Sequence, residues 1–187
     1  MKDLFRGELV RLTNEEPEAF AKASARWQRD TEYIRLLDSD PVFLYSEKQF
    51  KDWVEKRFEN SGPERHQFTV RTLAEDKLIG FFGLYVDPIH GDGMVGLGIG
   101  ERDFWSKGYG TDMMNVCLRY AFLELGLERV SLGVFEYNPR AVRSYEKAGF
   151  RLEGRTRQDA HREGKRYDSL WMGILREEWL QKNGELQ

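Results

Sequence analysis

Cysteine is nearly absent. Cys117 stands alone among 187 residues, so no internal disulfide can form and packing must hold the fold. The three histidines, His66, His90 and His161, lie far apart without the close spacing of a metal-ligand set. No bound metal is expected. Apolar runs stay well short of the about 20 residues that cross a bilayer, and the first residues form no apolar secretory segment. A cytoplasmic protein without membrane contact is the expectation. The formal charge of −3 gives no global positive field, which argues against nucleic acid as a partner. Repeats, low-complexity tracts and linkers are also missing, so residues 1–187, 40% of them hydrophobic, read as one domain.

What is present is organised around the stretch from Met94 to Leu125, which reads as strand, glycine-spaced turn and amphipathic helix. Gly108 and Gly110 free the backbone to turn tightly, so N–H groups from about Ser106 to Thr111 can converge on one concavity. The helix start adds unpaired N–H groups and a partial positive charge, which suits a pyrophosphate. Two better-known phosphate motifs fail here. Trp105-Ser-Lys-Gly-Tyr-Gly-Thr111 lacks the Gly-Lys-Ser/Thr order of a Walker loop. Gly91-Asp-Gly93-Met-Val-Gly96 matches a dinucleotide fingerprint by letter, yet strand-like residues follow where that mechanism needs a helix. A nicotinamide-dependent oxidoreductase would rest on that decoy alone.

Elsewhere the pattern alternates helix and strand. Glu8–Leu12 predicts a first strand, and Thr13-Asn-Glu-Glu16 a capping box opening a helix. From Trp27 to Tyr45 there is no clean period, so a helical turn and loop are expected. Ser46-Glu-Lys-Gln49 is a second capping box, with Phe50, Trp53, Val54 and Phe58 on one face of a helix that ends near Asn60-Ser-Gly-Pro63. Gln67–Leu73 and Leu78–Val86 flank a turn as an antiparallel hairpin, which Met94–Ile99 continues. Gly96, Gly98 and Gly100 weaken that last strand, so each needs a reason such as a bulge or a close approach. Met114, Cys117, Leu118, Ala121, Phe122 and Leu125 recur at helical spacing, ended by Gly126. Val130–Phe135, a short helix capped by Asn138 and closed by Gly149, then strands Phe150–Glu153 and Ser169–Leu175 complete the chain.

Two segments resemble one known family. Trp105–Thr111 resembles the acyl-CoA pyrophosphate loop of the GNAT acyltransferases, Gln/Arg-x-x-Gly-x-Gly/Ala, with Trp in the first position. Asn138-Pro-Arg-Ala141-Val-Arg-Ser-Tyr145-Glu-Lys-Ala-Gly149-Phe150 is similar to the family's Asn-x-x-Ala-x-x-x-Tyr-x-x-x-Gly-Phe. Together they resemble the branch of ribosomal-protein-alanine and spermidine acetyltransferases, over Leu78–Leu175. The resemblance implies an α/β GNAT fold: a mixed, mainly antiparallel, splayed sheet with helices on both faces. It implies acetyl-CoA as acyl donor, held at Trp105, Ser106, Lys107, Gly108, Tyr109, Gly110 and Thr111, with Leu97, Gly98 and Ile99 pairing the pantetheine arm. Asn138 and Ala141 would lie against that arm, and Tyr145 would be the acid that protonates the leaving thiolate.

The acceptor is open at this point. Many relatives carry a glutamate where Met94 stands, to take a proton from the amine. Its absence favours an amine of low pKa, such as a protein N-terminal α-amine near 8, over a polyamine nitrogen near about 10.4. Asp92, Asp30 or Glu101 could replace it. Asp30, Asp38 and Asp40, with Trp27, Tyr33 and Tyr45, occupy the stretch that lines the acceptor side in the family. Small-molecule amine acetylation, on polyamines or antibiotics, and a CoA-binding module without turnover are the alternatives. Arg151, Arg155, Arg157, Arg162, Lys165 and Arg166, interleaved with Glu153, Asp159 and Glu163, read as a mixed solvated face. Whether the chain is a monomer or a homodimer is left open.

Overall fold

The computed structural model describes residues 3–59 and 62–184, the side chains of 57–59 excepted. Among the described residues, seven strands form one sheet in the order β1-β2-β3-β4-β5-β7-β6. They are β1 Val10–Thr13, β2 Arg65–Thr72, β3 Leu78–Asp87, β4 Asp92–Ile99, β5 Arg129–Phe135, β6 Arg151–Arg162 and β7 Lys165–Leu175. Every pairing is antiparallel except β4 with β5. That parallel pairing covers only Asp92↔Arg129, Gly93↔Val130 and Met94↔Ser131. Beyond Met94 the two strands diverge, and the splay opens a gap in the middle of the sheet.

Helices cover both faces. Helix α1 (Pro17–Trp27) and α2 (Thr31–Leu37) pack on the face to which Gly98 and Gly100 turn, with Trp27 over Gly100 and the Tyr33 hydroxyl over Gly98. Helix α3 (Glu47–Glu59) packs beside α1. Helix α4 (Tyr109–Arg119) joins β4 to β5 across the other face, where Met113, Met114, Cys117 and Leu118 are fully buried against Val70, Ile79 and Val130. Helices α5 (Pro139–Ala148) and α6 (Arg176–Asn183) follow, α6 anchored by Trp179 against Phe122 with ring centres 5.6 Å apart.

Local chemistry explains most boundaries. The second capping box forms as expected: Gln49 N–H donates to Ser46 Oγ at 3.2 Å and Ser46 N–H to Gln49 Oε1 at 3.0 Å. The first does not. Thr13 belongs to β1, hydrogen-bonded to Thr69, and α1 starts at Pro17 behind Glu16, which makes no side-chain cap. The helical turn expected between Trp27 and Tyr45 is a seven-residue helix, α2, started by the Asp30 carboxylate, which accepts from the N–H groups of Glu32 and Tyr33. Phe58 lies outside the described side chains, while Val54 is buried and Trp53 half-exposed. The helix read through Leu125 is α-wound only to Arg119; Tyr120–Glu124 is wound as a π-helix. The final hairpin is far longer than expected, β6 and β7 meeting at a two-residue turn, Glu163 and Gly164, both at positive φ. The added length, residues 154–162 and 165–168, is mostly polar and lacks the alternation that marks Leu170, Met172 and Ile174.

Candidate active site

The gap between β4 and β5 widens into a cleft of about 780 Å³. One limb ends at the glycine turn before α4. There Gly108 caps the helix in the left-handed conformation, φ 91°, and Ser106 is also at positive φ, 60°. Asp112 N–H bonds back to Gly108 C=O at 2.9 Å, so the N–H groups of Tyr109, Gly110 and Thr111 start the helix without a partner four residues behind. Such free N–H groups are what a helix start offers an anion. A Cβ on Gly110 would press on Ser144 Oγ at 3.4 Å, and Thr111 Oγ1 and Ser144 Oγ are 2.9 Å apart, which ties α4 to α5.

Asp112 sits in this first turn, where its negative charge would oppose an anion. It is turned the other way: its carboxylate accepts the N–H groups of Glu8 at 3.0 Å, Leu9 at 2.8 Å and Val10 at 3.0 Å. Gly7 lies so close to this carboxylate that a Cβ there would collide with it. The entry of β1 is thus fastened to the phosphate turn.

Most of the residues implied by the resemblance converge. Leu97, Gly98, Ile99 and Trp105 line the cleft, as do Ser106, Gly108, Gly110 and Thr111. Asn138, Ala141 and Tyr145 line it from α5. Lys107 and Tyr109 do not; they border a separate small hollow with Asp103 and Phe104. Trp105, in the position where the family usually has Gln or Arg, donates from Nε1 to Ile99 C=O at 2.7 Å and so pins the turn to β4. Gly100 N–H bonds to Ile79 C=O, so by the alternation of antiparallel pairing Gly98 also faces β3, and Leu97 and Ile99 turn their main-chain groups to the gap. Asn138 caps α5 by accepting from Ala141 N–H at 3.2 Å and reaches Leu36 C=O at 3.4 Å.

Tyr145 packs against Phe150, and burial pushes its phenol up to about 12. Four further residues of α5 were missed: Arg140, Arg143, Ser144 and Lys147 line the same cleft. Their spacing of three and four was the available signal, since it places them on one helical face toward a polyanion. The Arg140 guanidinium stacks on the Trp105 ring, 3.7 Å from its centre.

On the acceptor side, Trp27, Tyr33, Tyr45, Asp38 and Asp40 line the cleft, but Asp30 does not. Asp30 is held by Arg102 as well as by its helix N–H groups, so its carboxyl lies below the ordinary range. Glu101 is raised by burial, but hydrogen bonds from Trp27, Lys77 and Arg26 outweigh this and leave it lowered. Asp92 pairs with Arg129 at 3.1 Å. None of the three candidate bases reaches the cleft lining; each is committed to a cation elsewhere. The decoy glycines also resolve, because Asp92–Gly96 lie within β4 and no helix opens there.

The family description "Acetyltransferase (GNAT) domain" matches residues 6–151, and the chain belongs to this family. It is an N-acetyltransferase whose acyl donor is acetyl-CoA. The SPbeta prophage-derived uncharacterized N-acetyltransferase YokL of Bacillus subtilis is 28% identical, over 83% of this chain and 85% of that one. Uncharacterized N-acetyltransferase YnaD of the same organism is 27% identical, over 82% and 89%. Among solved structures, spermidine N-acetyltransferase from Vibrio cholerae in complex with CoA and spermine superposes with a TM-score of 0.80 at 23% identity, covering 91% of this chain and 98% of that chain.

Proposed function

We propose that the chain acetylates a small-molecule primary amine by direct attack on acetyl-CoA, with Tyr145 as the acid. The observation that carries this reading is the joining, in one cleft, of an anion-binding turn, a splayed strand edge and an aromatic limb. The N–H groups of Gly110 and Thr111, with the α5 cations, suit the pyrophosphate. The main-chain groups of Leu97 and the N–H of Ile99 suit the amide-bearing pantetheine arm as an added strand would, and such an N–H suits the oxygen that gains charge during attack. Proximity supplies a large share of the acceleration. Cys117 cannot serve as an acyl carrier: it is buried in α4, where burial pushes its thiol up.

The acceptor limb, lined by Trp27, Tyr33, Phe50 and Trp53 with Asp38 and Asp40 beside them, suits a small cationic amine, as in the spermine complex of the Vibrio cholerae enzyme. Calorimetry should show uptake of coenzyme A, and a thiol-release assay across small amines, polyamines and N-terminal peptides should show the highest kcat/KM among the small amines. Absence of coenzyme A binding, or a clear preference for peptides, overturns the reading.

The far hairpin contributes to this limb. Arg162 donates to the C=O groups of Asp38, Ser39 at 3.0 Å and Asp40 at 3.3 Å, and Glu163 pairs with Arg35 at 2.6 Å. Arg162 thereby fixes the loop that carries both cleft carboxylates. Arg162→Ala is expected to raise the amine KM by about 10-fold with the coenzyme A Kd unchanged, since losing a charged hydrogen-bonding partner costs about 1.5–3 kcal/mol. Steady-state kinetics with each substrate varied in turn checks it.

A further inference from the structure

Of the three glycines on β4, two have a reason within the protein. A Cβ at Gly100 would collide with the Trp27 indole, and one at Gly98 would lie 2.8 Å from the Tyr33 hydroxyl and 3.0 Å from Phe81. Gly96 has no such reason. It is exposed, its φ is not in the left-handed region, and an added Cβ would meet nothing within 4 Å. Its register partner Gly83 is nearly as free, with Gly96 C=O at 3.8 Å and Tyr85 at 3.9 Å. Glycine weakens a strand because it loses more conformational freedom on folding than other residues and packs nothing in return. A strand glycine that the fold itself does not require often marks a place where a ligand approaches the backbone.

Gly83 pairs in turn with Gln67 on β2, so Gln67, Gly83 and Gly96 form one row across the sheet. Gly96 is two residues from Gly98 and shares its face, the face of Tyr33 and the acceptor limb. Gln67 ends the row with a buried side-chain amide nitrogen that has no hydrogen-bond partner among the described residues. Phe81 and Tyr85 flank Gly83 on the same face of β3, and Phe50 and Trp53 line the cleft from α3. Asp38 and Asp40, both exposed, are the only carboxylates among the described lining residues.

We infer that the Gly96–Gly83 row is the floor of a slot for a flat aromatic ring, and that the acceptor is an arylalkylamine with a polar group at the far edge of its ring. The inference rests on the amine-acetylation reading and narrows it. A bare two-strand floor between aromatic walls fits a ring, and the orphan Gln67 amide fits a phenolic oxygen. Gln67 lies two strand spacings, roughly 10 Å, from Gly96, which is the span of a phenol carrying a short aminoalkyl chain. Asp38 and Asp40 supply the negative charge that draws the protonated amine into the cleft.

The test compares tyramine, phenethylamine, spermidine and an N-terminal peptide on wild type, Gly96→Val and Gln67→Leu. Tyramine should have the highest wild-type kcat/KM, by at least tenfold over spermidine. Gly96→Val should raise the tyramine KM at least tenfold while spermidine changes less than twofold and the coenzyme A Kd and Tm stay put. Gln67→Leu should abolish the preference for tyramine over phenethylamine. Equal losses for all amines in Gly96→Val, or a wild-type preference for spermidine or peptide, overturns the slot. Calorimetry of tyramine on the coenzyme A complex reads the slot without turnover. Binding that is lost in Gly96→Val supports it even if no amine is acetylated, a result that would sink the transfer reading alone; no tyramine binding to wild type sinks the slot.

Discussion

Tyr145→Phe should lower kcat by about 10²-fold or more, the range for losing a positioned general acid, with the coenzyme A Kd nearly unchanged. The phenyl ring keeps the packing on Phe150 and removes only the hydroxyl. A protein that only binds coenzyme A has no turnover to lose, so the same variant separates enzyme from binding module. The pH profile carries a second expectation. With its pKa pushed up to about 12 by burial, Tyr145 stays protonated from pH 6 through 10, and no alkaline limb from this acid should appear there. Asp30, Glu101 and Asp92 are tied to arginines or lysine away from the cleft, so the amine loses its proton without help from them. The log of kcat/KM should therefore rise with pH, by one unit per pH unit, until the free amine predominates. A fall in rate between pH 8 and 10 would contradict the assignment.

Asp112→Ala is the largest stability effect expected. The change strands the N–H groups of Glu8, Leu9 and Val10, which the carboxylate now accepts at 2.8–3.0 Å. An unsatisfied buried donor costs about 1–3 kcal/mol, and Leu9 and Val10 are the two most enclosed of the three, so a loss on the order of 3 kcal/mol is expected. Urea unfolding monitored by tryptophan fluorescence measures it. Because the same side chain ties β1 to the first turn of α4, coenzyme A affinity should fall as well, in a sample still folded without denaturant. A variant as stable as wild type would show that water replaces the carboxylate at no cost.

Local signals were legible in the sequence where one stretch of chain settles its own conformation. Gly108 before Tyr109, the Ser46–Gln49 box and Asn138 with Pro139 each fix a helix start by bonds made within a few residues, so spacing alone revealed them. The two GNAT segments were legible through resemblance to a known family, and the reading of Trp105–Thr111 as an anion turn and of Tyr145 as an acid came with that resemblance. Less was visible where the partner lies far along the chain. Asp112 reads as an ordinary acidic first-turn residue until Glu8–Val10 are brought to it, and Arg162 as a solvated charge until the hairpin tip meets residues 38–40. The glycines of β4 illustrate the division most sharply. The sequence required a reason for each, but only three-dimensional packing assigned Gly100 to Trp27 and Gly98 to Tyr33, and left Gly96 bare. Backbone preference is carried by the residue itself; what fills or spares the space above it depends on chain segments that meet only when the sheet and its covering helices close.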